Sequence, residues 1–443
     1  MGTQYAVMKV KRPGVMTGGV NQAGVLSLAP YPPFLICPPV SGGAMHIVKN
    51  LAGLGETGKY SITLLFPALS QGHISQVTGY LKNRPGFHRV KGVVIDKEWN
   101  GAVEDRDRVP DGAIRLYGSR IYREALISLL NEKSFDIVVV ETSYMAWTVP
   151  LVREIQPRAR VVLDLQNAEH LIHRRVVENS GLGDKEREKY LFEYHKTIDW
   201  EKKFWPQFDY CMAVSPLEAG IFSRHAPGVP VGIIVAGGGV DTVSRPVREV
   251  PGVGPEDISF VGTMWYPNVH GFLWFIERVL PLVKKVFPRS RLHIIGSGRL
   301  PGRAAEIISR HESVVFWGQQ EDERSIIAAA GAFVVPLFIG AGVRIKIMTA
   351  WALGAPVVST PIGAEGLMCT HGSDILIAEN PEKMASYIIR VLSDARLRRT
   401  LAQNGRNLVC RLYSEAAAKA GILKAFQSVM EKKGFTLNHD GRD

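Results

Sequence analysis

PLFIGAGVRIKIMTAWALGAPVVSTPIGAEGL, residues 336–367, reads as one βα unit running into the next strand. A strand ends at Pro336–Phe338, Gly340-Ala341-Gly342 makes the turn, a helix begins near Val343, and PVVST (356–360) is the following strand. Glycines let backbone N–H groups approach an anion, and a helix start adds partial positive charge. Arg344 and Lys346 fall in the first helical turn, where cations oppose the helix dipole. Placing two there points to a bound negative group, most simply a diphosphate. The plain alternative is a solvated helix start carrying two surface bases.

The same rhythm extends in both directions. Short β-branched runs alternate with longer amphipathic stretches, which predicts βα units around parallel sheets. In the first half the strands fall near 24–30, 61–67, 136–141, 160–165 and 210–215. In the second half they fall near 231–236, 258–262, 291–296, 313–318, 331–337 and 356–360. PNVHGFLWFIERVLPLVKKVF is one of the amphipathic stretches between strands, and 171–208 reads as charged helix broken at ENSGLGD. Glycine and proline crowd 226–254, with AGGGVD (236–241) inside, and mark a hinge. The fold class is α/β: two doubly wound Rossmann-like domains facing across a cleft, with ligands at the carboxyl ends of the strands. Boundaries are set at 1–22 for a mobile tail, 23–228 for the first domain, 229–413 for the second, 414–432 for a C-terminal helix and 433–443 for a closing tail.

Composition bounds the partners. Of 443 residues, 46% are hydrophobic and 21% charged, which excludes a disordered or fibrous chain. The net charge of +11 favours an anionic partner. Cys37, Cys211, Cys369 and Cys410 include no close pair, so neither a zinc site nor a disulfide framework is suggested and a reduced compartment is the simplest reading. The opening residues lack a secretory signal's apolar stretch, and no run reaches the roughly 18 apolar residues of a membrane span. DIVVVETSYMAWTVPLV comes nearest and is broken by Glu141 and Pro150. A soluble protein is expected, and nothing resembles a nucleic-acid module.

Three further stretches carry chemistry-bearing residues. In FVGTMWYPNVHG, Gly262 and Thr263 close a strand and Asn268 suits a helix N-cap, with a routine βα turn as the plain reading. In PYPPFLICPPVSGGAMH, Gly42 and Gly43 open a helix and allow close approach to backbone amides. His46 on that helix either faces the cleft or is solvated. In VVLDLQNAEHLIHRR, Asp164, Asn167, Glu169 and His170 crowd a strand end, as a cap, an acid–base group or partners for Arg174 or Arg175. The basic, aromatic-interleaved segments LIHRRVV, DKEREKYLFEYHK and WEKKFW read as a solvent-facing helix, or as a surface for an anionic membrane.

Taken in order, FVGTMWYPNVHG, LHIIGSG, VVFWGQQED, VVPLFIGAGVRIKI, ALGAPVVSTPIGAEGL and GRNLVCRLYS resemble the retaining glycosyltransferases of family 4, which have the GT-B fold. The likeness covers roughly 258–414, and the first half resembles the acceptor domain of the same enzymes more loosely. It implies a nucleotide-sugar donor bound by the second domain, an acceptor bound by the first, and a last helix (414–431) returning to the first. Arg344 and Lys346 match the catalytic basic pair on the donor diphosphate. Gly262, Thr263, Gly296, Gly340, Gly342 and Glu365 match the donor side, and Phe316, Trp317 and Gly318 lie where the base is held. Gly42, Gly43, Asn167, Glu169 and His170 are the acceptor-side candidates. Two glutamates flanking the basic helix in many members are here Ala341 and Thr349, of which Thr349 offers a hydroxyl to a ribose. AGGGVD stands for a PNGVD hinge, and Gln166 where a His-Asn pair often begins.

The resemblance implies net retention without a protein nucleophile: the leaving β-phosphate takes the acceptor's proton while side-chain cations stabilise it, with no metal and no cofactor. Acceptors in view are a glycan, a lipid-linked glycan or a small molecule, in polysaccharide or envelope assembly, with a cytoplasmic location and peripheral contact with an anionic membrane face. Two other readings stay open. One is a non-catalytic GT-B protein that binds a nucleotide sugar or glycan and supports a partner enzyme. The other is a nucleotide-sugar epimerase, for which the second half offers only Glu365 as a nearby acid.

Overall fold

The structure, a computed structural model, describes residues 7–9, 22–32, 42–95, 108–117, 119–179, 181–235 and 247–431. The expected tails, the AGGGVD hinge, Pro33–Ser41 and Cys37 lie outside them, apart from residues 7–9 and 22. The chain divides into two compact units. One comprises residues up to His170, Phe192–Val235 and those from Ala418 onward; the other comprises Leu171–Leu191 and Ala236–Ala417.

The first unit holds an eight-stranded sheet of β1 (Val7–Lys9), β2 (Ala23–Leu28), β3 (Tyr60–Ala68), β4 (Phe87–Val94), β5 (Ile137–Glu141), β6 (Arg160–Leu165), β7 (Tyr210–Ala213) and β8 (Val231–Ile233). Its order is β1-β4-β3-β2-β5-β6-β7-β8, parallel except where β1 meets β4. β2, β3 and β5 are buried along their whole lengths, as continuous apolar runs in a helix-covered parallel sheet must be. Helix Gly42–Gly55 adds Ile47, Val48, Leu51 and Leu54 to this core. Helix Glu415–Glu431 adds Ile422, Ala425, Phe426, Val429 and Met430, with the Phe426 ring edge-on to Tyr60 at 5.4 Å.

The second unit holds β9 (Ile258–Val261), β10 (Leu292–Ile295), β11 (Val314–Gly318), β12 (Ala332–Val335), β13 (Val357–Ser359) and β14 (Leu376–Ile377), all parallel, in the order β11-β10-β9-β12-β13-β14. Two parallel α/β sheets of this kind are the GT-B architecture. Among the parallel strands of each sheet the order reverses once, between β2 and β5 and between β9 and β12.

Several sequence expectations need correction. The sequence reading puts Val231–Ile233 in a second domain beginning at residue 229. That segment pairs with β7 as the outer strand of the first sheet, and the division falls at Val235/Ala236. β1, β4 and β14 went unread. In β4 (FHRVKGVV) three basic residues interrupt the apolar pattern, and Lys91 is buried with its Nζ 3.5 Å from the Ala125 carbonyl of the helix Arg120–Glu132. The stretch 266–284 is not one regular helix. It widens into a π-turn at Phe275–Val279 ahead of Pro281, whose ring clashes with a regular turn and whose nitrogen donates no bond.

Candidate functional site

The crossover of the second sheet sends two loops off adjacent strands, Gly262–Thr263 after β9 and Pro336–Gly342 after β12. Crevices at such reversals are where open α/β sheets bind ligands. The helix after the second loop spans Ile345–Ala352, two residues later than the sequence suggests, and Arg344 is its cap residue with extended backbone.

Arg344 is 8% exposed and folded back onto its own loop. Its guanidinium donates to the carbonyls of Ala341 and Gly342, the latter at 2.8 Å, and at 3.4 Å to that of Ile362. Gly340 and Gly342 have φ of 143° and 69°, which only glycine adopts without strain. A Cβ on Gly340 would also lie 2.6 Å from the Arg344 guanidinium. Because a trans peptide sets N–H opposite C=O, carbonyls held toward arginine turn the N–H groups of Gly342 and Val343 the other way. Glycine turns with this alternation of peptide direction are the kind that can present backbone N–H groups to an anion.

Lys346 lies in the first helical turn and reaches across to the other loop. Its Nζ donates to Asn268 Oδ1 at 2.8 Å and sits 4.6 Å from the centre of the Phe260 ring. Burial pushes this ammonium down to about 7, with the Arg344 charge adding to the effect and Glu323 opposing it. Asn268 is the third residue of its helix and not the N-cap. Its Nδ2 donates to the Thr263 carbonyl at 2.8 Å, so one amide ties Lys346 to the strand end. Gly262 makes room for this: a Cβ there would stand 2.6 Å from Asn268 Nδ2 and 2.8 Å from Lys346 Nζ. Gly296 packs backbone to backbone on Gly262, whose carbonyl leaves no space for a side chain.

The remaining donor-side candidates scatter more widely. Thr263 is exposed beside Gly262. Phe316 packs against the core, and Trp317 donates its indole N–H to His293 at 3.0 Å. Gly318 ends β11 with φ 64°. Thr349 donates its hydroxyl at 3.2 Å to the Ile345 carbonyl of its own helix, and Ala341 is buried. Glu365 pairs at 2.7 Å with Arg175, whose other nitrogen donates to the Gly340 carbonyl. The sequence offers Arg175 partners close along the chain; the local pair that forms is Arg174 with Glu178.

In the first unit the candidates form two buried groups. Gly43 underlies Tyr31 and Gln166, whose polar ends meet at 3.3 Å and whose contact a Cβ would break; Gly42 opens the same helix. His46 is not solvated. It is buried, bonded to Asp164 at 3.1 Å and to Asn50 at 2.9 Å. Burial would raise Asp164, but His46 outweighs it and holds that carboxyl low. Neighbouring Glu141 is pushed up by burial and by the Asp164 charge. In the second group, His170 Nδ1 bonds Glu201, and the Glu169 amide donates to Glu201 at 2.8 Å. Asn167 donates to Glu169 at 3.2 Å. Burial pushes Glu169 up to about 8 against that bond, with Glu201 adding to the rise, so it carries a proton at neutral pH. The aromatics Trp200, Phe204 and Trp205 face the core, leaving Leu191 and Phe192 as the exposed apolar residues of the charged helix Asp184–Phe204.

Asn268, Glu323 and Arg175 are the site residues that sequence reading misassigned or passed over. Only the Pro267-Asn268 pair carried a local signal, and it pointed to a cap.

Residues 255–394 match the family model for glycosyl transferases group 1. A Klebsiella pneumoniae protein, described as an uncharacterized 44.6 kDa protein in the cps region, is 27% identical over 175 residues, 38% of this chain and 45% of the relative. The match thus spans less than half of that curated relative. Among solved structures, sucrose-phosphate synthase from Thermosynechococcus elongatus is similar with a TM-score of 0.68 at 15% identity, covering 93% of this chain and all of that one. The E. coli structure described as trehalose-6-phosphate bound with UDP-2-fluoro glucose gives 0.61 at 12%, covering 94% of this chain and 100% of that one. Anabaena HepE in complex with UDP and glucose gives 0.59 at 13%, covering 92% and 100%. Residues 255–394 are thus similar to the group 1 glycosyl transferases, and the fold is GT-B. Among the described residues no helix is long and apolar enough to cross a membrane.

Proposed function

We propose that this chain is a retaining glycosyltransferase that moves a sugar from a nucleoside-diphosphate sugar to a hydroxyl of a glycan, lipid-linked or small-molecule acceptor, without metal or cofactor. The observation that carries the reading is the enclosed Lys346 ammonium, held by Asn268 at the crossover of the second sheet and backed by Arg344 across a glycine loop. A cation in such surroundings gains most when an anion arrives, and more as charge builds on a leaving diphosphate. Lys346 would contact the leaving group while Arg344 adds charge and holds the loop; the β-phosphate oxygen would take the acceptor's proton. Gly262, Gly296 and Gly340–Gly342 would admit the phosphates, with the base beside Phe316–Gly318. The first unit would bind the acceptor through Asn167, the protonated Glu169 and His170, with Gly43 nearby. Cytoplasmic work, at a membrane face for a lipid-linked acceptor, fits a cationic chain fed by nucleotide sugars. UDP in the HepE complex makes uridine sugars the first donors to try.

One observation favours a second reading, a nucleotide-sugar binding protein that supports a partner enzyme: neither Ala341 nor Thr349 supplies a carboxylate beside the basic pair, and the Thr349 hydroxyl is turned to its own helix. A thermal-shift panel of uridine, guanosine and thymidine diphosphate sugars identifies the donor, since a ligand of the folded state raises the melting point. The donor that binds is then incubated with glycan acceptors and lipid extracts. Nucleotide release with sugar on an acceptor supports transfer; binding without release supports the second reading; absence of binding across the panel overturns both.

A further inference from the structure

We propose that Arg175 is a positioning residue of the glycine loop Gly340–Gly342, and that the segment Leu171–Leu191, which interrupts the first unit in sequence, is a working part of the donor site. The proposal rests on the donor reading above and extends it to a stretch far from the matched residues 255–394.

Arg175 stands on the helix His170–Asn179, all but the first residue of which belongs to the second unit. It is 9% exposed, so its charge must be satisfied by the protein. One guanidinium nitrogen donates to the Gly340 carbonyl and another, at 2.7 Å, to Glu365. A planar guanidinium offers the two acceptors separate nitrogens in a fixed plane, whereas an ammonium offers a single nitrogen. Gly340 opens the loop, and Glu365 follows the short helix Pro361–Ala364 after β13, so the fork ties the loops of two adjacent strands. Arg344 holds the carbonyls of Ala341 and Gly342, and Arg175 holds that of Gly340. Three successive carbonyls thus point to guanidinium groups, and Arg175 sets the direction of the Ala341 N–H. A glycine loop is conformationally loose by itself. Held by Arg175, it meets a diphosphate already shaped.

The test measures binding of UDP and of inorganic pyrophosphate by calorimetry to wild type, Arg175→Lys, Arg175→Met and Glu365→Gln, with melting temperatures and amide exchange over residues 339–344. Arg175→Met is expected to weaken both ligands at least tenfold and to speed exchange at Ala341–Val343. Arg175→Lys should recover less than half of the loss on a logarithmic scale, and Glu365→Gln should weaken binding less than Arg175→Met. In transfer assays the donor KM should rise while the acceptor KM stays within twofold. Binding and exchange within twofold of wild type in both Arg175 variants overturns the proposal. If Arg175→Met unfolds, the lysine variant and Glu365→Gln, read at wild-type melting temperature, decide in the same way. Wild type that binds neither ligand defeats the donor reading, whereas faster loop exchange in the variants would still support the positioning role.

Discussion

Lys346 and Arg344 do different work despite lying two positions apart. Arg344 spends its donors on loop carbonyls, so its removal loses both charge and loop shape. Arg344→Ala is expected to lower transfer turnover at least a hundredfold, measured at saturating donor, in line with loss of a preorganised charge at a leaving group. Lys346 titrates within reach of neutral pH. With a free-protein value near 7, it is increasingly neutral above that pH, and an anion raises its value again. Binding above pH 7 must then take up a proton, so diphosphate affinity should fall toward tenfold per pH unit between about 7 and 9. Lys346→Arg, always charged, should flatten that profile, and calorimetry at several pH values reads the difference. Glu169 shows the opposite shift: its folded value is about 8, against an ordinary value of 4.5. Between these the unfolded chain releases a proton that the native state keeps, so stability falls as pH rises through that window, by up to ~1.4 kcal/mol per unit. Glu169→Gln should therefore gain in melting temperature relative to wild type from pH 5 to pH 8.

At the scale of elements, local chemistry accounts for most boundaries. Asn380 caps the helix Pro381–Ser393 by accepting from the Lys383 amide at 2.8 Å, and Ser215 caps Pro216–His225 with proline at the first position. Asn380→Ala should cost about 1 kcal/mol in denaturant unfolding and leave nucleotide binding unchanged. The elements that escaped a sequence reading did so for identifiable reasons. β4 carries basic residues that interrupt its apolar pattern. The short β14 has too few residues for periodicity to show. The π-turn at Phe275–Val279 follows from Pro281 within a stretch whose apolar spacing is otherwise helical.

Over the whole molecule, the chain does not fill its two units in sequence order. Leu171–Leu191 leaves the first unit for the second, and the chain returns at Ala418 to complete the first core. Phe426 is fully buried in that core, far in sequence from the strands it covers. Phe426→Ala should cost about 3–5 kcal/mol, the usual price of truncating a core aromatic. Limited proteolysis should then cut preferentially within the first unit, while fragments of the second persist. Equal sensitivity of both units would show that the final helix does not belong to one core.

Much of this protein was readable along the chain. The alternation of apolar runs with amphipathic stretches determines parallel βα units, and Gly340-Ala341-Gly342 ahead of two cations announces an anion site, because strand burial, turn geometry and helix dipoles act over a few residues. Which strand edges β8 completes, what surrounds Lys346, why His46 is buried against Asp164, and how Arg175 comes to hold Gly340 from 165 positions away were settled by tertiary structure alone. Those contacts depend on burial and pairing between distant segments, and no local spacing encodes which partners meet.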